Sequence, residues 1–169
     1  GCHVHSSPIA LVPSLATSCN SWYCWALYRM IGAEKYGSSQ AALTRWKDHM
    51  VAQGFGYKLG ADLPGEQRGF IPNAKTYDKA YRGSWNGLTI ISISIGQGEI
   101  TATPLQIANL GATIANRGYF ITPHIVKEIE DNPLDTLYTT RRYTGIDRAH
   151  YEEVVKGMRA AVTGSTGSA

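Results

Sequence analysis

The stretch that decides the fold is Ser94–Gly118, "SIGQGEITATPLQIANLGATIANRG". Its middle spells out a helix start. Thr103 offers a hydroxyl for an N-cap, and Pro104 suits the first helical turn, where no N–H is needed. Gln106, three residues after the cap, completes a capping box. Leu105, Ile107, Ala108, Leu110, Ala112, Ile114 and Ala115 follow. Apolar residues on nearly every side predict a central, buried helix, which Gly118 ends. Just upstream, Ile91, Ser92, Ile93, Ser94 and Ile95 alternate with period two and predict an extended segment.

Further upstream, residues 54–72 read "GFGYKLGADLPGEQRGFIP", with five glycines and two prolines. No regular element tolerates that density, so a long ordered loop is predicted, with Phe55, Tyr57 and Phe70 as aromatic anchors. Before it, Asn20 or Ser21 can cap a helix that buries Trp22, Tyr23, Ala26, Leu27 and Met30 and stops at Gly32. Ser39 can cap a second helix, with Ala42, Leu43, Trp46 and Met50 on one side and an end near Gly54. Downstream, Tyr119 to Ile129 reads as extended, with Pro123 at an edge or bulge. Asp147 caps a last helix that uses Tyr151, Val154, Val155, Met158 and Val162. The tail "TGSTGSA" reads as mobile, and there is no internal repeat.

The chain has 169 residues, 43 % of them hydrophobic and 17 % charged, a globular composition of one domain or a large piece of one. A net charge of +3, with no stripe of Lys and Arg, does not point to nucleic acid. No apolar run reaches ~18 residues, so nothing here spans a membrane as a helix. No basic segment followed by an apolar one opens the chain as a leader would. Several helices with only two plausible strands make an odd balance for a complete α/β domain, because two strands do not form a stable sheet alone. The expected fold class is α/β (α+β), mostly helical and incomplete over residues 1–169.

Three cysteines, Cys2, Cys19 and Cys24, do not describe a disulfide framework. Cys19 and Cys24 point away from each other on a helix. Cys2, His3 and His5 in "CHVH" are possible metal ligands, but such tight spacing without a second cluster predicts no metal site and an irregular terminus instead.

"SCN" at Ser18–Asn20 stands before an aromatic helix. It is followed by "LPGEQRGFIP" at 63–72, the block at 94–118 and "ITPHIVK" at 121–127. In order and spacing these resemble the transpeptidase domain of class B penicillin-binding proteins, from His5 to about Met158. The resemblance implies the fold of DD-transpeptidases and serine β-lactamases. It implies a serine enzyme that cross-links peptidoglycan stem peptides through an acyl-enzyme and is stalled by β-lactams. Such enzymes use S-x-x-K, S-x-N and K-T-G. Ser18 and Asn20 match S-x-N and would be the catalytic and substrate-binding residues of this chain. A hydroxyl both donates and accepts, so Ser18 could relay a proton between a lysine and the leaving nitrogen. Asn20 could hydrogen-bond a substrate amide and that lysine, with Cys19 facing away. No cofactor is implied. A parent anchored in the bacterial inner membrane and facing the periplasm is implied, with a glycosyltransferase and the elongation machinery as partners.

The other two motifs are absent. No serine has Lys three residues on, and "VTGS" at 162–165 imitates K-T-G with Val in place of Lys. In the family they lie upstream and downstream of S-x-N, so the chain reads as an internal fragment, inactive alone and prone to self-association. A non-enzymatic module that kept the fold and lost the chemistry is the alternative. Without the family context, Ser18 and Asn20 are ordinary cap residues. Glu66 and Glu99 lack a paired carboxylate and read as structural. Gln97 and Thr103 read as loop and cap residues. Cys19 as a thiol nucleophile would need His49, His124 or His150, and nothing selects one. Trp22, Tyr23 and Trp25 read as core packing.

Overall fold

The computed structural model describes Cys2 and residues 5–164. Six α-helices occur among them: α1 (Leu11–Ala16), α2 (Asn20–Ile31), α3 (Ser39–Ala52), α4 (Ala74–Tyr81), α5 (Pro104–Ala115) and α6 (Arg148–Thr163). Short 3₁₀ turns occupy Glu34–Tyr36, Ile91–Ile95 and Thr136–Tyr138. The strands are β1 (Tyr119–Phe120) and β2 (Arg142–Tyr143), antiparallel, with Tyr119 opposite Tyr143 and Phe120 opposite Arg142. This mostly helical assembly with two short strands fits the expected class.

The core is built by α2, α3 and α4 with the segment after them. Leu27 and Ile31 of α2 meet Ala42 and Leu43 of α3, Tyr77 of α4, then Trp85, Ile90 and Ile93. Burying each large aliphatic side chain is worth about 1.5–3 kcal/mol. Two polar anchors finish this core. The Trp85 indole donates to Asp78 Oδ1 at 2.7 Å, and the Tyr77 hydroxyl donates to Glu99 Oε2 at 2.8 Å. Burial and the Glu99 carboxylate together push the Tyr77 phenol well above its ordinary range.

α6 lies along α1, and Gly157 makes this possible, because a Cβ there would come within 2.6 Å of Leu15 Cβ. Tyr151 is buried as expected, and Gly157 with it, whereas Met158 and Val162, expected on the same side of α6, are exposed. Residues 54–72 form no regular element, as the composition predicts. Phe55 is buried there, whereas Phe70 is exposed and holds the loop through backbone bonds to Thr101.

Several expectations need correction. Ile91–Ile95 is not extended but winds into a 3₁₀ turn closed by Gly96 at φ +69°. Five alternating residues carry a period-two pattern, yet in the turn only Ile93 is buried. The stretch from Tyr119 to Ile129 pairs as a strand over two residues only, and Pro123 lies beyond them. α3 is capped by Ser38 rather than Ser39. α1 and α4 add to the helices that the sequence predicts, and Asn73 and Thr76 form a capping box for α4. The tail beyond Gly164 lies outside the described residues.

The largest correction concerns α5. Its capping box forms as written, Thr103 with Gln106, and Pro104 sits in the first turn. Its buried side, however, is polar: Gln106, Asn109 and Thr113. Leu105, Leu110 and Ile114 are half-buried, and the outward side carries Ile107, 58 % exposed, with Ala108, Ala112 and Ala115. Gln106 explains the choice. Its Nε2 donates to Tyr57 O and Arg68 O, both at 2.9 Å, and its Oε1 accepts from Thr103 N–H at 3.0 Å. One side chain thereby satisfies two loop carbonyls and a helix-start amide.

Candidate active site

The S-x-N segment is a tight reversal between α1 and α2. Thr17 closes α1 by donating through its N–H and its hydroxyl to Pro13 O, at 3.0 and 2.8 Å. Ser18 follows at φ +51°, in the left-handed region that a non-glycine residue rarely occupies. Its N–H donates to Leu15 O at 3.2 Å, and the Cys19 N–H donates to Ser14 O at 2.9 Å. Both bonds tie the turn to the last carbonyls of α1. Strain of this kind persists only where the surroundings over-determine it, and it concentrates at functional sites.

The N-cap of α2 is Cys19, not Asn20 or Ser21. Its Sγ accepts from Trp22 N–H at 3.4 Å. Cys19 is 1 % exposed, while Ser18 and Asn20 on either side leave their side chains at the surface. Among the described residues neither Ser18 Oγ nor the Asn20 amide is engaged in a hydrogen bond. The alternation leaves Ser18 and Asn20 at the surface with Cys19 turned inward between them. Asn20 borders a groove of about 320 Å³ shared with Ser21, Cys24, Trp25, Tyr28 and Leu88.

Cys19 turns inward as expected, and there it meets two residues from the start of the chain. His5 Nε2 lies 3.1 Å from Cys19 Sγ, and Cys2 Sγ lies 3.7 Å away. His5 Nδ1 is 2.9 Å from Ser6 O, a carbonyl that can only accept, which leaves Nε2 of a neutral ring as the acceptor for the Cys19 S–H. Cys2 Sγ in turn pairs with the Ser21 hydroxyl at 3.0 Å and accepts from Ser21 N–H at 3.2 Å. Those Ser21 bonds, the hydroxyl first, bring the Cys2 thiol down to about 7. Cys2, His5 and Cys19 offer sulfur and nitrogen atoms within 4.8 Å of one another, a group that could hold a metal ion. The tight spacing of "CHVH" by itself predicts no such group. The missing second segment was Cys19, and His3 lies outside the described residues. Cys24 points elsewhere, toward Ser94 Oγ at 3.3 Å.

The remaining candidates resolve plainly. Glu66 Oε1 accepts from Leu59 N–H at 2.6 Å, and Oε2 from Gly60 and Ala61 N–H at 3.0 and 3.2 Å, so it is a loop clamp. Glu99 is held by Tyr77, and Thr103 caps α5. The histidine beside Cys19 is His5, not His49, His124 or His150, and so buried a thiol cannot meet a substrate. Trp25 is not core: it is 59 % exposed, stacked on Tyr28 with ring centroids 5.4 Å apart.

Comparison with known proteins extends these observations. Residues 3–169 match the family described as penicillin binding protein transpeptidase domain. The peptidoglycan D,D-transpeptidase MrdA of Acinetobacter baumannii is 39 % identical over 90 residues, 53 % of this chain and 13 % of that protein. The MrdA of Haemophilus influenzae is 33 % identical over 129 residues, 75 % of this chain and 20 % of that protein. The chain therefore spans a fifth or less of these curated relatives. Among solved structures, Pseudomonas aeruginosa penicillin-binding protein 2 in complex with WCK 5153 superposes with a TM-score of 0.75 at 27 % identity, covering 95 % of this chain and 34 % of that one. Penicillin-binding protein 2 of Helicobacter pylori, solved in complex with MreC, gives 0.70 at 22 % identity over 94 % of this chain and 27 % of that one, a likeness of fold. No described helix is long and apolar enough to cross a membrane. With its S-x-N turn, its capped α5 and the match over nearly its whole length, the chain belongs to the penicillin-binding protein transpeptidase family.

Proposed function

We propose that this chain is the S-x-N portion of a peptidoglycan DD-transpeptidase of the penicillin-binding protein 2 type. Its parent joins stem peptides through a serine acyl-enzyme and is acylated by β-lactams. The observation that carries the reading is the Ser18–Cys19–Asn20 turn, strained at Ser18, with two exposed polar side chains flanking a buried thiol. In the parent, Ser18 relays the proton between the base lysine and the leaving nitrogen. The Asn20 amide bonds the substrate peptide and steadies the lysine. The acylating serine and its lysine belong to S-x-x-K, and K-T-G supplies the facing strand. Both motifs are placed in the parent, outside these 169 residues. The parent's seat in the inner membrane facing the periplasm, with partners in wall elongation, is part of the same proposal.

The test is covalent labelling of the parent by a fluorescent penicillin. A single penicilloyl adduct on a serine followed three residues later by Lys supports the reading. A folded parent that carries neither outer motif and takes no label would make it a binding module instead.

A further inference from the structure

We propose that Cys2 and Cys19 form a thiol–disulfide pair, an oxidisable modification site lying directly beneath the Ser18–Asn20 turn. The two sulfurs are 3.7 Å apart, beyond the ~2.05 Å of a bond. The gap closes by movement of Cys2, which precedes α1 and is only partly buried. Cys19 is fixed: it is buried, caps α2 and has its N–H on Ser14 O. The pair is asymmetric in the way exchange needs, with one accessible sulfur to meet an oxidant and one enclosed sulfur to resolve it. The described cluster brings two thiols side by side, which is sufficient for a disulfide.

The oxidant is any disulfide-bearing molecule. The Cys2 sulfur attacks one sulfur of that disulfide. Its S–S bond breaks, and one thiol leaves with the proton from Cys2. Cys19 Sγ then attacks the Cys2 sulfur of the mixed disulfide and gives its proton to His5 Nε2, 3.1 Å away. The second oxidant thiol leaves and takes up a proton through solvent. The two cysteines lose two electrons, and the oxidant's disulfide gains them and becomes two thiols. The new bond fastens the segment before α1 to the start of α2. Cys24, whose Sγ accepts from Ser94 Oγ at 3.3 Å, takes no part.

The experiment uses the full-length parent and does not depend on its being a transpeptidase. The protein is equilibrated across graded ratios of oxidised to reduced glutathione. Free thiols are alkylated, and peptides are mapped by mass. The expected result is a Cys2–Cys19 cross-linked peptide that appears as the ratio rises, with Cys24 alkylated throughout. Melting temperature should rise on oxidation and fall back on reduction. Cys2→Ser, which keeps a hydroxyl beside Ser21, should abolish both changes. Alkylation of Cys2 and Cys19 at every ratio would overturn the proposal. So would cross-linking through Cys24, or thiols that become reactive only after a chelator strips a bound divalent metal.

Discussion

Gly157 of α6 faces Leu15 of α1 so closely that a Cβ would sit 2.6 Å from both Leu15 Cβ and Cδ1. A flexible tip could swing aside, but Leu15 Cβ is rigidly joined to the α1 backbone. Gly157→Ala therefore forces the two helices apart. Overpacking costs about 1–3 kcal/mol, and the better helix propensity of Ala returns just under 1 kcal/mol. A net loss of up to about 2 kcal/mol is expected, a fall in Tm of up to roughly 8 °C for a chain of this size. Because Leu15 O holds the Ser18 N–H, acylation of the parent should slow as well. Unchanged melting would show that α1 shifts freely.

Ser18→Ala in the parent should slow acylation by ~10²–10⁴-fold, the usual worth of general acid–base assistance. The fold should hardly respond, because the Ser18 side chain is exposed and the cap of α2 belongs to Cys19. Matched penicillin-acylation rates and thermal melts would separate the two effects. A wild-type acylation rate in the folded variant would remove Ser18 from the mechanism.

Gln106→Leu keeps most of the volume in the loop-to-α5 joint and removes its hydrogen bonds. Tyr57 O, Arg68 O and Thr103 N–H lose their partner together. Each buried polar group left unpaired costs about 1–3 kcal/mol, so destabilisation of about 3 kcal/mol or more is expected by denaturant titration. A near-neutral result would mean that water enters and replaces the side chain.

In α5 the start is a local feature and the buried face is not. Thr103, Pro104 and Gln106 announce the helix start because a cap is a contact between residues three apart. Which face of that helix is covered depends on Tyr57 and Arg68, some 40–50 residues earlier in the chain, and no periodicity contains them. "SCN" could be found as a motif, and so could its exposed flanks. The approach of Cys2 and His5 to Cys19 could not, since it joins positions 14 and 17 residues apart across α1. Ile91–Ile95 misleads for a local reason: five alternating residues fit a strand, and they also fit a 3₁₀ turn that buries one of them.

Asp62 should make stability depend on acid. Its carboxylate accepts from Val126 N–H at 2.9 Å and from Ile125 N–H at 2.9 and 3.0 Å. These bonds, Val126 first, hold its pKa below the ordinary 3.8. A carboxyl lowered by folding contributes stability above its unfolded value and loses it as pH falls through the folded one. The contribution should therefore be complete above about pH 4 and vanish in stronger acid. Asp62→Asn should flatten the acid limb of a stability–pH curve and speed amide exchange at Ile125 and Val126. An unchanged acid limb would mean that this clamp does not report on folding.

The isolated 169-residue chain should form no penicilloyl adduct. Ser18 is exposed at the turn, but no described side chain takes its proton, and an unassisted hydroxyl is a poor nucleophile at neutral pH. The sequence offers no S-x-x-K serine to be acylated and no K-T-G strand to hold the substrate, so recognition fails along with chemistry. The outward side of α5, where Ile107 is exposed beside Ala108 and Ala112, should meanwhile draw copies together at high concentration, and Ile107→Lys should disperse them. Incubation of this monomeric variant with a fluorescent penicillin, followed by intact mass, is expected to show bare protein. The parent containing both outer motifs should label under the same conditions. A stoichiometric adduct on the isolated chain would place the nucleophile within these residues and overturn the role given to Ser18.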